Sequence, residues 1–303
     1  MSSDSPTGTL TSTEAPDLGQ KRTGHGALSG TITRMLRHEP DPSVGAWIRP
    51  RLAPFGDVVG SVVPRGFEAY ARILHPVPAP LDDRTTVDTE RHVRWADVAA
   101  VTGRTVHPTA QFWAVAARSQ WRDQEPGTWA GGEPLEGDLG PDATHALVDV
   151  LARHAPGGGD AQVVVALWDG YGWIEGGGAV SVVSVDDDGV GAVRHPGPAF
   201  EPSVLRGPRL ELPHREYLLF RGSLRDVTSL GHQVTPSWFE AQSPNLLWPV
   251  DGSWCVATEI DLDSTLVGGP RPLVRAVVEC PGLEALDVHV DDPITIDSDH
   301  LNR

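Results

Sequence analysis

The chain has 303 residues, of which 39% are hydrophobic, and this is enough to bury a core in one large domain or two ordinary ones. Its 24 Lys and Arg residues are outnumbered by 41 Asp and Glu residues, so the net charge is -17. A charge of that sign repels phosphate backbones and anionic lipids. We therefore expect no nucleic-acid binding through a basic face and no membrane association.

The first part of the sequence, residues 1–42, is rich in Ser, Thr, Pro and Gly, which predicts a disordered tail. It has neither the basic start nor the apolar run of a signal peptide, and no stretch reaches the roughly 18 apolar residues that a membrane span needs. The two cysteines, Cys255 and Cys280, are too few for a disulfide framework. Together these features predict a cytoplasmic protein.

The rest of the chain, residues 43–303, is predicted to form a single globular domain. Its first half begins with β-branched, proline-interrupted sequence over residues 58–74, which predicts strands broken by a turn. Apolar residues then recur at helical spacing from Trp95 to Val101. A second helix is predicted after Pro108, where it carries Phe112, Trp113 and Ala116.

A loop rich in Gly, Pro and acidic residues is predicted from Ser119 to Gly140. Pro141 follows it and suits the first position of a helix that presents Ala143, Leu147 and Leu151 on one face. The three glycines from Gly157 to Gly159 end this helix, and a subdivision of the domain would fall there.

The second half of the sequence consists mainly of short β-branched or aromatic runs bounded by Gly, Pro and Asp, as is typical of strands. The predicted strands are 163–168, 179–185, 217–220 and 254–262. Residues 273–280 and 283–286 are predicted as helical or mixed. The expected fold class is therefore α+β, with a mixed, mainly antiparallel sheet and a few packed helices.

The string from Glu259 to Val267 contains the DxDxT pattern of haloacid-dehalogenase-type phosphatases. In that pattern the first Asp attacks phosphorus, the second handles the proton of the leaving group, and Mg²⁺ neutralises the phosphoryl charge. Asp261 and Asp263 would take these catalytic roles, with a divalent cation as cofactor. Only 38 residues follow Thr265, however, and the single lysine, Lys21, lies in the predicted tail. Asp291 and Asp292 could mimic the late acidic pair of such a phosphatase, but they follow too soon to be reached through several βα units.

A second interpretation of the same residues is structural. From Trp254 to Asp263 apolar residues alternate with Glu259, Asp261 and Asp263, as the period of a strand requires. One face of this strand would be buried, and the other would carry three carboxylates. Such a face suits a basic partner or plain contact with solvent.

Other local signatures of catalysis are missing from the sequence. It contains no HExxH, no GxSxG and no cysteine beside a histidine, so a metalloprotease, an α/β-hydrolase and a redox enzyme each lack their local signal. The glycines around Gly170 and Gly172 lead into a strand instead of a helix, which argues against a dinucleotide-binding loop.

Several strings resemble those of uncharacterised actinobacterial proteins. They are VPRGFEAY at residues 63–70, ILHP at 73–76, SPNLLWP at 243–249 and WCVATEIDLDST at 254–265. The resemblance covers roughly residues 47–303 and implies an actinobacterial origin and one unit of conserved length. It carries no known activity and transfers no catalytic residue.

The sequence therefore predicts a non-catalytic cytoplasmic module that binds a basic protein partner and needs no cofactor. Its contact region is predicted to comprise the acidic strand face of Glu259, Asp261 and Asp263, together with Trp248 and Trp254, two of the ten tryptophans. The alternative is a metal-dependent, phosphatase-like hydrolase that uses Asp261 and Asp263.

Overall fold

A computed structural model describes residues 35–80, 91–118, 127–176, 182–185, 191–194, 197–235 and 238–302. Most of the predicted tail, residues 1–34, lies outside these described residues. The last part of that tail does not match the prediction. Residues Arg37–His38 form a short edge strand of the main sheet. The pairing supplies hydrogen-bond partners for their backbone groups.

The described residues contain short strands separated by five helices. In chain order the strands are β1 (Arg37–His38), β2 (Ala69–Leu74), β3 (Val77–Pro78), β4 (His92–Val93), β5 (Gln162–Trp168), β6 (Val182–Val185), β7 (Gly191–Arg194), β8 (Leu210–Leu212), β9 (Arg215–Ser223), β10 (Gly231–Thr235), β11 (Trp238–Ala241), β12 (Leu246–Pro249), β13 (Cys255–Thr258), β14 (Ser264–Gly269) and β15 (Ala285–Val288). The helices are α1 (Trp95–Thr102), α2 (Phe112–Val115), α3 (Pro141–His154), α4 (Pro202–Leu205) and α5 (Arg271–Val278). Short 3-10 helices cover Pro42–Gly45, Arg49–Arg51, Val59–Ser61, Gly158–Asp160 and Leu224–Ser229.

One antiparallel sheet of nine strands organises the described chain. Its order is β1-β9-β5-β12-β13-β14-β2-β15, and β8 also pairs with β9. β2 comes from the first half of the chain and β5, β9 and β12 to β15 from the second, so the predicted subdivision near Gly157 would cut this sheet. The pairs β3-β4, β6-β7 and β10-β11 stand apart as two-stranded sheets.

The central strands are buried on both faces of the sheet. In β5 the side chains of Val163, Val165 and Leu167 belong to one core, whereas Val164 and Ala166 belong to the core on the other face. A run of apolar residues is what a strand covered on both sides requires, since successive side chains alternate between faces. The sequence of β5 therefore specifies a central position.

Helices α3 and α5 cover the first of these faces. α3 begins at Pro141, carries Asp142 in its first turn and Arg153 in its last, and so complements the helix dipole at both ends. Its buried face, which includes Leu147 and Leu151, packs in the same core as α5. A third core lies around Trp95, where α1 and α2 meet.

The α+β class and the mainly antiparallel sheet predicted from the sequence are confirmed. The helices predicted near Trp95, Phe112 and Pro141 are present, and the mixed region near the C-terminus resolves into α5 followed by β15. Residues 127–140 are irregular, as predicted for that part of the acidic loop. Within the described ranges, every helix is too short or too polar to cross a lipid bilayer.

Candidate functional site

The acidic string from Glu259 to Asp263 forms the turn between β13 and β14. β13 ends at Thr258, and the amide of Leu262 donates a hydrogen bond to the carbonyl oxygen of Glu259 at 3.1 Å. Asp is disfavoured in strands and favoured in turns, so Asp261 and Asp263 favour a turn after Thr258. The predicted strand and its acidic face are therefore wrong beyond Thr258.

This turn, which we call the acidic turn (residues 259–263), is held by backbone contacts from two directions. The amide of Gly137 donates to the carbonyl oxygen of Leu262 at 2.9 Å, and the amide of His75 donates to that of Asp263 at 3.0 Å. Gly137 has φ +72°, and a Cβ there would lie 2.8 Å from the Cα of Ile260. Glycine therefore lets residues 127–140 lie directly against the acidic turn.

The three carboxylates of the acidic turn have different surroundings. The side chain of Asp261 is 71% exposed, whereas that of Glu259 is 10% exposed. Both bind the guanidinium group of Arg215, whose Nη2 lies 2.6 Å from each carboxylate. Asp263 binds Arg72 instead. The three residues therefore do not form one acidic surface, and each is already bound to an arginine.

The arginine that holds Asp263 is buried. Arg72 lies in β2, is 2% exposed, and donates from Nη2 to Asp263 Oδ1 at 3.2 Å. Its Nε donates to Ser264 Oγ, and its Nη1 donates to the carbonyl oxygens of Pro108 and Ala110. Burial raises the pKa of Asp263, and the Arg72 guanidinium opposes that rise. Arg72 thus fixes the acidic turn relative to the loop that leads into α2.

These contacts place four carboxylates around one cavity of about 240 Å³, which we call the acidic cleft. The carboxylates come from two separate segments, Glu133 and Glu136 from the loop before α3, and Asp261 and Asp263 from the acidic turn. The other walls are Gln111, Phe112, Trp113, Pro134, Leu262, Ile294 and Ile296. The cleft therefore joins acidic groups to an aromatic and aliphatic wall.

Glu136 differs from the other three carboxylates of the cleft. Glu133 pairs with Arg118 at 3.0 Å, and Asp261 and Asp263 pair with Arg215 and Arg72. Glu136 has no ion pair or hydrogen bond with any described residue. Glu136 is exposed at the mouth of the cleft, where partial desolvation raises its pKa and the charges of Asp263, Asp261 and Glu133 raise it further. A cation in the cleft would relieve that repulsion.

The two tryptophans predicted as contact residues are in the core instead. Trp248 is 1% exposed and packs against Trp47, with ring centroids 6.3 Å apart. Trp254 is 3% exposed and belongs to the core beneath α5. Trp248 lies within β12, and Trp254 immediately precedes β13. Both are buried because this sheet is covered on both faces. The predicted contact role needed exposed tryptophans, so the prediction is wrong for both, although the alternation that starts at Trp254 also predicted a buried Trp254.

The surroundings of Asp261 and Asp263 differ from those of a phosphatase pair. The two residues follow β13 in an antiparallel hairpin, whereas the phosphatase pattern needs a strand that begins a series of βα units. Each of the two carboxylates forms an ion pair with a guanidinium group. Among the described residues, no three His, Cys, Asp or Glu side chains are grouped so that they could hold a metal ion.

Sequence reasoning missed most of the residues that shape the site. Glu133 and Glu136 fall in the loop whose acidic composition was noted, but nothing in their spacing connects them with Asp261. Arg72 and Arg215 lie 191 and 46 residues from their acidic partners. Pairs so distant in sequence leave no local pattern. Comparison with protein-family models, curated proteins and solved structures finds no match for this chain.

Proposed function

We propose that the protein is a binding module whose acidic cleft accepts a basic segment of a partner protein. The observation that carries this proposal is the position of Glu136, which shares the cleft with three other carboxylates and has no cationic partner in the described part of the chain. An arginine or lysine side chain of the partner would bind Glu136 and reduce the repulsion among the four groups.

The local charge balance supports a cationic partner. Around the acidic turn and the cleft there are five carboxylates, and three guanidinium groups bind four of them, which leaves two excess negative charges. The carboxylates are Glu133, Glu136, Glu259, Asp261 and Asp263, and the guanidinium groups are Arg72, Arg118 and Arg215. The whole chain has a net charge of -17, which adds a long-range attraction for basic proteins.

The apolar wall favours a polypeptide over a bare metal ion. Phe112 and Trp113 line the cleft, and Ile296 is 53% exposed beside them. An arginine or lysine side chain has an aliphatic stem that can lie along such a wall while its charged end meets Glu136. Binding sites typically combine apolar walls with a few oriented polar groups in this way.

We propose binding, and not hydrolysis, because the two candidate catalytic carboxylates have other partners. Asp261 is bound by Arg215 and Asp263 by Arg72. A carboxylate engaged by a guanidinium group is a weaker nucleophile and proton acceptor, since the cation stabilises its charged form. The prediction of a cytoplasmic location stays a prediction.

The test is fluorescence anisotropy with a labelled arginine-rich peptide and a glutamate-rich peptide of equal length. We expect only the basic peptide to bind, with an affinity that falls as salt is raised. Glu136→Gln should weaken binding about 3- to 10-fold, because one charged contact is lost. The matched control is Asp149→Asn, which removes an exposed carboxylate of α3 that does not line the cleft.

Equal loss of affinity in Glu136→Gln and Asp149→Asn would show that net charge alone drives binding, and would refute a role for the cleft. Basic peptides that fail to bind at low salt would refute the proposal as a whole.

A further inference from the structure

A small cavity between α3 and the central strands is lined by four hydroxyl-bearing side chains, and we call it the hydroxyl pocket. Its volume is about 10 Å³, which is room for one water molecule. All four side chains are buried, and they belong to Thr144, Ser243, Thr258 and Thr265. The other walls are Leu139, Leu147, Val148, Val227, Pro244, Leu247 and Val256. A purely apolar cavity stays dry, so the hydroxyl groups decide whether this pocket holds water.

Thr144 carries a buried hydroxyl group that has no hydrogen-bond partner among the described residues. The residue is 7% exposed and lies near the start of α3, on the buried face of that helix. A buried hydroxyl group without a hydrogen bond destabilises the folded state. A water molecule in the pocket would supply the missing bond.

Ser243 has a hydroxyl hydrogen that the described protein does not use. Its Oγ accepts a hydrogen bond from the amide of Leu139 at 2.9 Å. The hydrogen of the same hydroxyl group has no acceptor among the described residues. Ser243 can therefore donate to a group in the pocket.

The directions of the neighbouring hydrogen bonds leave Thr258 as an open acceptor. His75 Nδ1 lies 2.6 Å from the carbonyl oxygen of Leu135, and a carbonyl oxygen only accepts, so Nδ1 carries the hydrogen. Burial keeps the ring neutral at neutral pH, so Nε2 accepts from Thr265 Oγ1 at 2.9 Å. Because Thr265 has then used its hydrogen, Thr258 donates to it at 2.8 Å. The lone pairs of Thr258 Oγ1 accept from no described residue.

We propose that the hydroxyl pocket binds one water molecule, which joins α3 to β13. The water accepts from Ser243, donates to Thr258 Oγ1 and forms a third hydrogen bond with the Thr144 hydroxyl. Three hydrogen bonds are typical of a buried water molecule. Thr258 is the last residue of β13 and directly precedes the acidic turn, so the water links that turn to α3. It also extends the chain of hydrogen bonds that ends at Leu135.

The test is magnetic relaxation dispersion of the water oxygen, which counts the water molecules that a protein holds for longer than its tumbling time. Thr144→Val keeps the shape of the side chain and removes the hydroxyl. We expect it to lower the dispersion amplitude by one water molecule and the thermal midpoint by roughly 2 °C. Thr102→Val is the matched control, because that hydroxyl donates to the carbonyl oxygens of Val98 and Val115 and lies outside the pocket. It should leave the amplitude unchanged.

An unchanged amplitude or a raised midpoint in Thr144→Val would overturn the proposal, because a methyl group that replaces an unpaired hydroxyl in a dry cavity stabilises the folded state. If Thr144→Val does not fold, a crystal structure of the wild-type chain decides. Electron density for one oxygen atom within hydrogen-bond distance of Thr144, Ser243 and Thr258 would support the site. Thr144 and Ser243 also line a neighbouring cavity of about 10 Å³ beside Asp138. Density in that cavity alone, or in neither, would overturn the proposal.

Discussion

The guanidinium group of Arg72 lies 3.2 Å from the carboxylate of Asp263, and only 2% of the arginine side chain is exposed. We expect Asp263→Asn to reduce the free energy of unfolding by about 3 kcal/mol, because it leaves a buried guanidinium group without its counter-charge. The double variant Arg72→Met/Asp263→Asn should lose less than the sum of the single variants. Urea denaturation of Asp263→Asn, Arg72→Met and the double variant measures the three losses. Arg275→Gln, which breaks the exposed Arg275–Glu279 pair, should leave the free energy of unfolding nearly unchanged. Additive losses in the cycle would contradict the buried pair.

His75 follows β2 and contacts two other segments through its ring. Because the ring is buried, we expect the free energy of unfolding to fall in mild acid. Its Nδ1 lies 2.6 Å from the carbonyl oxygen of Leu135, and its Nε2 lies 2.9 Å from Thr265 Oγ1. Burial lowers its pKa from 6.5 to about 4, so the folded state holds the ring neutral. Above pH 6.5 His75 is neutral in both the folded and the unfolded protein, and its contribution to the free energy of unfolding is fully present. As the pH falls from 6.5 to about 4, the unfolded protein takes up a proton on His75 first, so this contribution is lost.

The shift in His75 corresponds to roughly 3 kcal/mol between pH 7 and pH 4. Urea denaturation across this range should show that His75→Gln removes most of that slope, whereas the exposed His92→Gln retains it. A nuclear magnetic resonance titration that places His75 near its ordinary pKa would contradict this expectation.

Asp299 fastens the C-terminal segment to the loop before α2. Burial alone would raise its pKa, but hydrogen bonds from Asn302, His107 and Gln111 lower it to about 2. The resulting stabilisation is present above the ordinary pKa of 3.8 and is lost as the pH falls towards about 2. At neutral pH, Asp299→Asn should reduce the free energy of unfolding by about 2 kcal/mol.

The same substitution should speed hydrogen exchange of the Gln111 amide, which donates to Asp299 Oδ2 at 3.3 Å. Asp297→Asn is the control, because that carboxylate is exposed in the same segment. If the two variants unfold at the same urea concentration, Asp299 does not fasten the segment.

The two buried tyrosines of one core should respond differently to loss of the hydroxyl. Tyr70 donates to Pro64 and accepts from the Phe67 amide, so Tyr70→Phe should destabilise the protein by about 1 to 2 kcal/mol. The Tyr217 hydroxyl makes no hydrogen bond with a described residue and is not among the buried partnerless atoms, so Tyr217→Phe should change the free energy of unfolding by less than about 0.5 kcal/mol. Thermal unfolding of the two variants measures both effects. Comparable destabilisation by the two substitutions would show that Tyr217 makes a hydrogen bond.

The regular elements were largely predictable because their signals are local. The apolar run of β5 specifies a strand buried on both faces, and Pro141 with the apolar spacing behind it specifies α3. The error at β13 has a local cause as well. The alternation of apolar and polar residues continues past Thr258 and predicted a longer strand. Asp261 and Asp263, however, favour a turn, and β13 ends at Thr258.

The sequence alone determined the fold class, the acidic character of the chain and the presence of a carboxylate-rich string at residues 259–263. Tertiary structure decided which of these carboxylates share a cavity and which cations they meet. Glu136 and Asp263 line the same cleft, and the neighbouring Gly137 packs directly on the acidic turn. Arg72 and Arg215 reach the turn from strands distant in sequence. Charge pairing depends on distance in space and on burial, and neither is recorded in the local order of residues.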